Sequence, residues 1–177
     1  TGNNIEITAS TSLTTDEAVI NSGTGAINII LTSIDDGGND DDLTINDRVA
    51  LSNAAATGDI TLNAGNDLVV TDSGSANDVQ NAGSGVITAN VSRDLSIGTS
   101  VDVVTTGGMI DLNVGRNASS GANATVASSG GAIDLAVSGT VSLATNSSIN
   151  SGAATIVIDG ATDLSLADQA SITANDQ

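Results

Sequence analysis

The chain contains no Cys, Pro, His, Lys, Phe, Tyr or Trp among its 177 residues. A globular core without one aromatic ring would be unusual, whereas a narrow, uniform interior filled by aliphatic layers needs none. The same absence removes the aromatic platforms on which sugars stack. Lack of His, Lys and Tyr removes common catalytic bases. Lack of Cys leaves the compartment open, because large exported bacterial proteins avoid it as well. Basic residues are nearly missing too: Arg48, Arg93 and Arg116 oppose 21 acids, for a formal charge of -18. A surface this acidic repels phosphate backbones, and three scattered Arg form no basic track, so nucleic acid is excluded as a partner. No apolar run is long enough to cross a bilayer. The sequence opens at Thr1 with neither Met nor a signal peptide, which leads us to expect a mature product or an excised part of something longer.

High net charge and missing aromatics lean towards disorder. Against that, 39% of residues are hydrophobic and the mean hydropathy is +0.17. These residues are mostly Ile, Val, Leu and Ala in alternation, the pattern of strands. Self-similarity organises them. Gly58-Asp-Ile-Thr-Leu, Gly108-Met-Ile-Asp-Leu and Gly131-Ala-Ile-Asp-Leu are near copies. Aligned on the first aliphatic residue, the repeats begin at Ile5, Ile27, Ile60, Ile87, Ile110, Ile133 and Ile156, in steps of 22, 33, 27, 23, 23 and 23. A second aliphatic position follows eight residues on, at Leu13, Leu68, Leu95, Ala118, Val141 and Leu164. In the second repeat it is Leu43, sixteen from Ile27, and the eight-residue polar stretch Asp35 to Asp42 accounts for the excess.

A third apolar position carries Val49 and Leu51, Val101 and Val103, Ala124 and Val126, Ile149, and Ile172. The repeat from Ile60 is longer by four, which Ser73 to Asp78 absorbs as a loop. Each repeat therefore reads as three short strands separated by Gly, Asn, Asp or Ser corners. Neither hairpin signals nor helical patterns separate them. The pattern predicts one all-β domain over residues 1–177, a parallel β-helix solenoid of seven coils with segments 35–42 and 73–78 protruding. At about 4.8 Å per coil the rod would be on the order of 35 Å long. Crossover handedness favours a right-handed coil. Neither terminus offers a capping helix, so further coils of the same or neighbouring chains are the expected partners.

The stretch Gly58-Asp-Ile-Thr-Leu-Asn-Ala-Gly-Asn-Asp-Leu-Val-Val resembles the repeats of filamentous-haemagglutinin-type exoproteins and other large bacterial β-strand-repeat surface proteins. At the level of pattern the resemblance runs from about Asn4 to Asp176. It implies export to the cell surface or medium, a rod-like passenger or stalk, and adhesion or matrix roles. It supplies no catalytic residues. The expected role is thus a structural segment of an adhesin or exoprotein. The alternative is a subunit that stacks end to end into an extracellular filament or layer. A polysaccharide-active β-helix enzyme is the third reading, since paired carboxylates can cleave glycosides.

Two groups of acids are candidate cation ligands. Residues preceding the second strand form a column: Ser12, Asp42, Asp67, Asp94, Asn117, Thr140 and Asp163. Carboxylates stacked this closely repel unless a cation, a raised pKa or cross-linking hydrogen bonds intervene. Calcium suits such hard oxygen ligands. Alternatively, Asp and Asn simply shape the corner. The second group is the insert, with Asp35, Asp36, Asp40, Asp41 and Asp42 around two glycines. Gly37-Gly-Asn-Asp-Asp-Asp-Leu43 resembles the calcium-binding nonapeptide of RTX β-rolls, but Asp40 stands where Gly or Asn is usual and the motif does not recur in tandem. A solvated acidic loop is the other reading. The metal set expected from sequence is therefore Asp35, Asp36, Asp40, Asp41, Asp42, Asp67 and Asp94, with Ca²⁺ as the ion. Arg93 and Arg116 occupy equivalent places on neighbouring coils and are expected to pair with Asp94 and nearby acids. Asn-X-Ser/Thr triplets begin at Asn90, Asn117, Asn123 and Asn146, where glycosylation would suit a surface rod.

Overall fold

The computed structural model describes residues 4–15, 20–22, 26–46, 48–51, 55–72, 74 and 77–175. These form three parallel sheets of seven strands each, and every coil contributes one strand to each sheet. The first sheet stacks β1 (Ile5–Ala9), β4 (Ile29–Ser33), β7 (Ile60–Ala64), β10 (Ile87–Val91), β13 (Ile110–Val114), β16 (Ile133–Val137) and β19 (Ile156–Asp159). The second stacks β2 (Leu13–Thr15), β5 (Leu43–Ile45), β8 (Leu68–Val70), β11 (Leu95–Ile97), β14 (Ala118–Ser120), β17 (Thr140–Leu143) and β20 (Asp163–Leu166). The third stacks β3 (Ile20–Ser22), β6 (Val49–Leu51), β9 (Val79–Asn81), β12 (Asp102–Thr105), β15 (Thr125–Ser128), β18 (Ser148–Ser151) and β21 (Ser171–Ala174). This is the β-solenoid expected from the repeat, and no helix occurs among the described residues.

Alternation decides what goes inside. In β13, Ile110, Leu112 and Val114 are buried while Asp111 and Asn113 point out. Ile29, Ile60, Ile87, Ile110 and Ile133 lie over one another in one fully buried row. Leu43, Leu68, Leu95, Ala118 and Val141 make the equivalent row of the second sheet. Full burial of such a side chain stabilises by roughly 1.5–3 kcal/mol. Because each residue packs mainly on the coils above and below, that gain exists only in the stack.

Two sequence expectations are corrected here. The second coil starts at Ile29, not Ile27: Ile29 is in register with Ile5 below and Ile60 above. The steps are therefore 24, 31, 27, 23, 23 and 23. Both residues have the same in–out parity, so alternation cannot choose between them. Asn28 does choose, because its Oδ1 accepts the N–H of Asp59 at 2.9 Å, a bond lost by a two-residue slip. The insert is also shorter than expected. Asp41 and Asp42 align with Asn66 and Asp67 on the next coil, through Asn66 N–H to Asp41 O and Leu43 N–H to Asp67 O, each 2.9 Å. Residues 35–40 alone are extra. Of the second protruding segment, Ser73, Ser75 and Ala76 lie outside the described residues, while Asp78 is buried in the corner before β9.

Corners between the third and first sheets use buried polar side chains and glycine. Asn81 donates to Gly58 O at 3.0 Å, Gly108 N–H donates to Thr105 Oγ1 at 3.1 Å, and Gly131 N–H donates to Ser128 Oγ at 2.8 Å. Gly58, Gly85, Gly108 and Gly131 stack there so tightly that a Cβ on any of them would overlap the carbonyl oxygen of the coil before. The glycines opening the near-copy phrases therefore serve close approach. Between the second and third sheets, Ser100, Asn123, Asn146 and Gln169 recur 23 apart, all with φ of 59–60°. Asn tolerates this left-handed region better than most residues, and Asn146 Nδ2 donates to Asn123 Oδ1 at 3.2 Å.

Candidate metal centre

The insert leaves β4 at Ser33 and returns at Asp41. Asp35 Oδ1 accepts the N–H of Gly37 at 2.8 Å and Asp36 Oδ1 that of Gly38 at 3.1 Å, so two successive Asp turns curl the segment back. Gly37 takes φ +91°, which strains any other residue. The base of the loop is tied to both adjacent coils. Ser12 donates to Asp40 O, and Asn66 Nδ2 donates to Asn39 O at 2.9 Å. Ser33 Oγ donates to Asp41 O at 2.8 Å.

This folding brings Asp36, Asp40 and Asp41 together, with one carboxylate oxygen of each within 4.8 Å of the others. Asp36 and Asp40 are exposed, while Asp41 is fully buried. Asp41 Oδ2 accepts the N–H of Asp36 at 3.2 Å, but its buried Oδ1 has no hydrogen-bond partner. Burial pushes the Asp41 carboxyl above the usual range. The charges of Asp36, Asp40 and Asp35 push the same way, and only the Asp36 N–H opposes them. Gly38 lies close against the cluster, and a Cβ there would come within 2.5 Å of Asp40 Oδ1 and 3.1 Å of Asp36 Oδ1.

The remaining expected ligands do not join. Asp35 holds the turn. Asp42, Asp67 and Asp94 use their carboxylates as acceptors within the stack. Asp42 Oδ1 takes the N–H of Asp67 at 3.1 Å, Asp67 Oδ1 that of Asp94 at 3.0 Å, and Asp94 Oδ1 that of Asn117 at 3.1 Å. Asn117 Oδ1 continues the ladder to Thr140 N–H at 3.0 Å. Cross-linking hydrogen bonds therefore hold this column together. Two further ladders escaped the sequence reading: Asn28 to Asp59 to Val86 N–H, and Asp78 to Asp102 N–H. Their signal was present, since each acceptor is an Asp or Asn immediately preceding a strand.

Each arginine of the corner reaches back one coil. Arg93 lies 3.8 Å from Asp67 and donates to Asn66 Oδ1 at 2.9 Å. Arg116 forks onto Asp94, with its Nε 2.8 Å from Oδ1. The Arg116 guanidinium holds the Asp94 carboxyl below its ordinary value, helped by the Asn117 N–H and opposed by burial. A depressed pKa means that the folded state favours the ionised form, so Asp94 contributes stability above its unfolded pKa and loses it as pH falls through the folded value. Asp41 has the opposite sign. Its raised pKa makes the folded state lose stability as pH rises from the unfolded value through the folded one.

A shallow cleft of about 620 Å³ follows the corner beside the first sheet. Its floor includes an amide row in which Asn113, Asn90 and Asn63 donate in turn to Asn90, Asn63 and Thr32 at 3.2, 2.9 and 3.0 Å. Asp159 adds a carboxylate to the lining. The side-chain amides of Asn90 and Asn117, two of the Asn-X-Ser/Thr sites, already donate within their ladders. Comparison with protein-family models, characterised proteins and solved structures finds no match to this chain.

Proposed function

We propose that the chain is a structural rod segment of a secreted or cell-surface bacterial adhesin or exoprotein, with a calcium ion stapling the insert to its coil. The carrying observation is the stack itself: seven coils in register, aliphatic inside and tied at the corners by side chains that serve the neighbouring coil's backbone. That construction transmits load along an axis and leaves the outer faces polar. Likeness to haemagglutinin-type repeats supports export, and a strongly acidic surface supports a solvated extracellular rod. Electron microscopy of the purified chain tests the rod. Particles with an axial length on the order of 35 Å are expected, and round particles without β-type circular dichroism would sink the reading.

The calcium staple is supported by the three converging carboxylates and by Asp41 Oδ1, a buried acceptor with no protein donor. Calcium takes six to eight oxygens, to which each of the three carboxylates brings one converging oxygen, with water and further loop oxygens completing the shell. Calorimetric titration should show binding of Ca²⁺ in preference to Mg²⁺, with a raised thermal midpoint. Asp41→Asn should abolish the response and, without calcium, leave the chain at least as stable, because a buried uncompensated charge is removed. Calcium affinity unchanged in Asp41→Asn, or in a chain lacking residues 35–40, would remove the site.

A further inference from the structure

We infer that the cleft beside the first sheet binds a neutral, extended oligosaccharide lying along the rod axis. The cleft follows the ends of the first-sheet strands from the second coil to the seventh. At about 4.8 Å per coil it runs for on the order of 25 Å. Its middle lies on coils that have a neighbour on both sides. The concavity comes from side-chain size. Asn63, Asn90, Asn113 and Ala136 are the last outward residues of their strands, and only Gly or Ser follows each strand at the turn, as at Ser92, Gly115 and Ser138.

Charge and hydrogen-bonding capacity identify the occupant. Apart from Asp159 at one end, the described lining is uncharged, on a chain whose net charge is -18. Asp111 and Asp134, stacked on outward positions two residues before Asn113 and Ala136, repel an anionic chain. A hydroxyl both donates and accepts, and so does an Asn amide. Asn63 and Asn90 each spend one N–H and one oxygen lone pair on the amide row, which leaves a donor and an acceptor on each for a ligand. Asn113 spends both N–H groups, on Asn90 Oδ1 at 3.2 Å and Asp111 Oδ1 at 3.1 Å. Its Oδ1 takes no donor from any described residue, because Ala136 stands where the next amide would be. The row therefore ends, in mid-cleft, on an acceptor open to a ligand hydroxyl. A straight glycan of equatorially linked hexoses repeats its hydroxyls at close to the coil spacing. An extended peptide is recognised instead through pockets for alternate side chains, which a shallow wall of Gly and Ser does not offer. No aromatic ring is present to stack on a sugar, so each subsite is weak and affinity accumulates along the row.

This inference goes beyond the rod reading and depends on it only for the coil stack. Calorimetric titration of the whole chain with cello- and chito-oligosaccharides of increasing length is the test. Affinity should rise with length, by roughly tenfold from the trisaccharide to the hexasaccharide, as successive amides are engaged. Maltohexaose, whose α-linkages curl the chain, and polygalacturonate, which is anionic, should not bind. Asn90→Leu nearly keeps the side-chain volume but breaks the row, and should weaken hexasaccharide binding by roughly three- to tenfold. Ser138→Leu obstructs the cleft from an exposed position and should weaken binding as well. Both variants should keep the β-type circular dichroism. No heat with either hexasaccharide, affinity indifferent to length, equal binding of maltohexaose or polygalacturonate, or binding unchanged in both variants would overturn the inference and leave the rod reading standing. Capture of an uncharged Ser/Thr peptide in preference to the glycans would assign the cleft to protein and overturn it too. Loss of the β-type spectrum in the unmutated chain would instead break the rod reading.

Discussion

Ile110→Asp is expected to lower the thermal midpoint by about 10 °C or more. Ile110 has no solvent exposure and lies between Ile87 and Ile133 in the longest aliphatic row. Truncating such a side chain costs roughly 2–5 kcal/mol, and a carboxyl left without donors adds roughly 1–3 kcal/mol. Each kcal/mol moves the midpoint of a chain this size by roughly 2–4 °C. The neighbouring position shows that the effect comes from facing and not from charge in a strand. Asp111, the next residue, is a native acid on the outer side. Ser119→Asp, on an exposed position of β14, should change the midpoint by no more than about 2 °C. Circular dichroism melts of the two variants decide it. An Ile110→Asp chain that melts like the unmutated one would mean that this row does not form the core.

Gly108→Ala is the smallest possible change, yet it should destabilise by roughly 1–3 kcal/mol or more. Its Cβ would overlap Gly85 O, which is backbone and cannot rotate away. Coil spacing beside it is held by Ile87 N–H to Met109 O and Ile110 N–H to Ala132 O, both 3.0 Å, so the neighbours cannot easily part. The adjacent Gly107 is the control: its Cβ would meet Gly83 O and Ser84 at 3.4–3.8 Å, ordinary contact, and Gly107→Ala should be nearly silent in the same melt. Position 154, 23 residues beyond Gly131, carries Ala. In that coil Gly152 makes a close approach, and a Cβ on it would overlap Ser129 O. A Gly108→Ala chain as stable as Gly107→Ala would show that the corner can re-form without it.

The two tests probe features of different legibility. Ile110 was assigned to the core from alternation and a 23-residue period alone, because a row of like side chains leaves its trace along the sequence. The glycines were visible as repeated letters, but their purpose was not. Close approach is a relation between coils, and Gly85 lies 23 residues from the Gly108 it confronts. The insert shows the same division. Its acidity and glycines stood out in the sequence, yet seven candidate ligands reduced to three converging ones. Asp42, Asp67 and Asp94 had been grouped by column, and they do form one, but each spends an oxygen on the next coil's N–H.

Period and parity were local properties, and from them followed the number of coils, three sheets and an aliphatic interior. They hold because inward and outward faces alternate strictly and each coil must place like on like to bury its side chains. Axial register was not local. Ile27 and Ile29 satisfy parity equally, and contacts between coils separate them, among them the bond from Asp59 N–H to Asn28 across 31 residues. The gathering of Asp36, Asp40 and Asp41 likewise came from a loop anchored to coils on both sides by Ser12 and Asn66. Such contacts join residues remote in sequence, and they exist only once the coils have stacked.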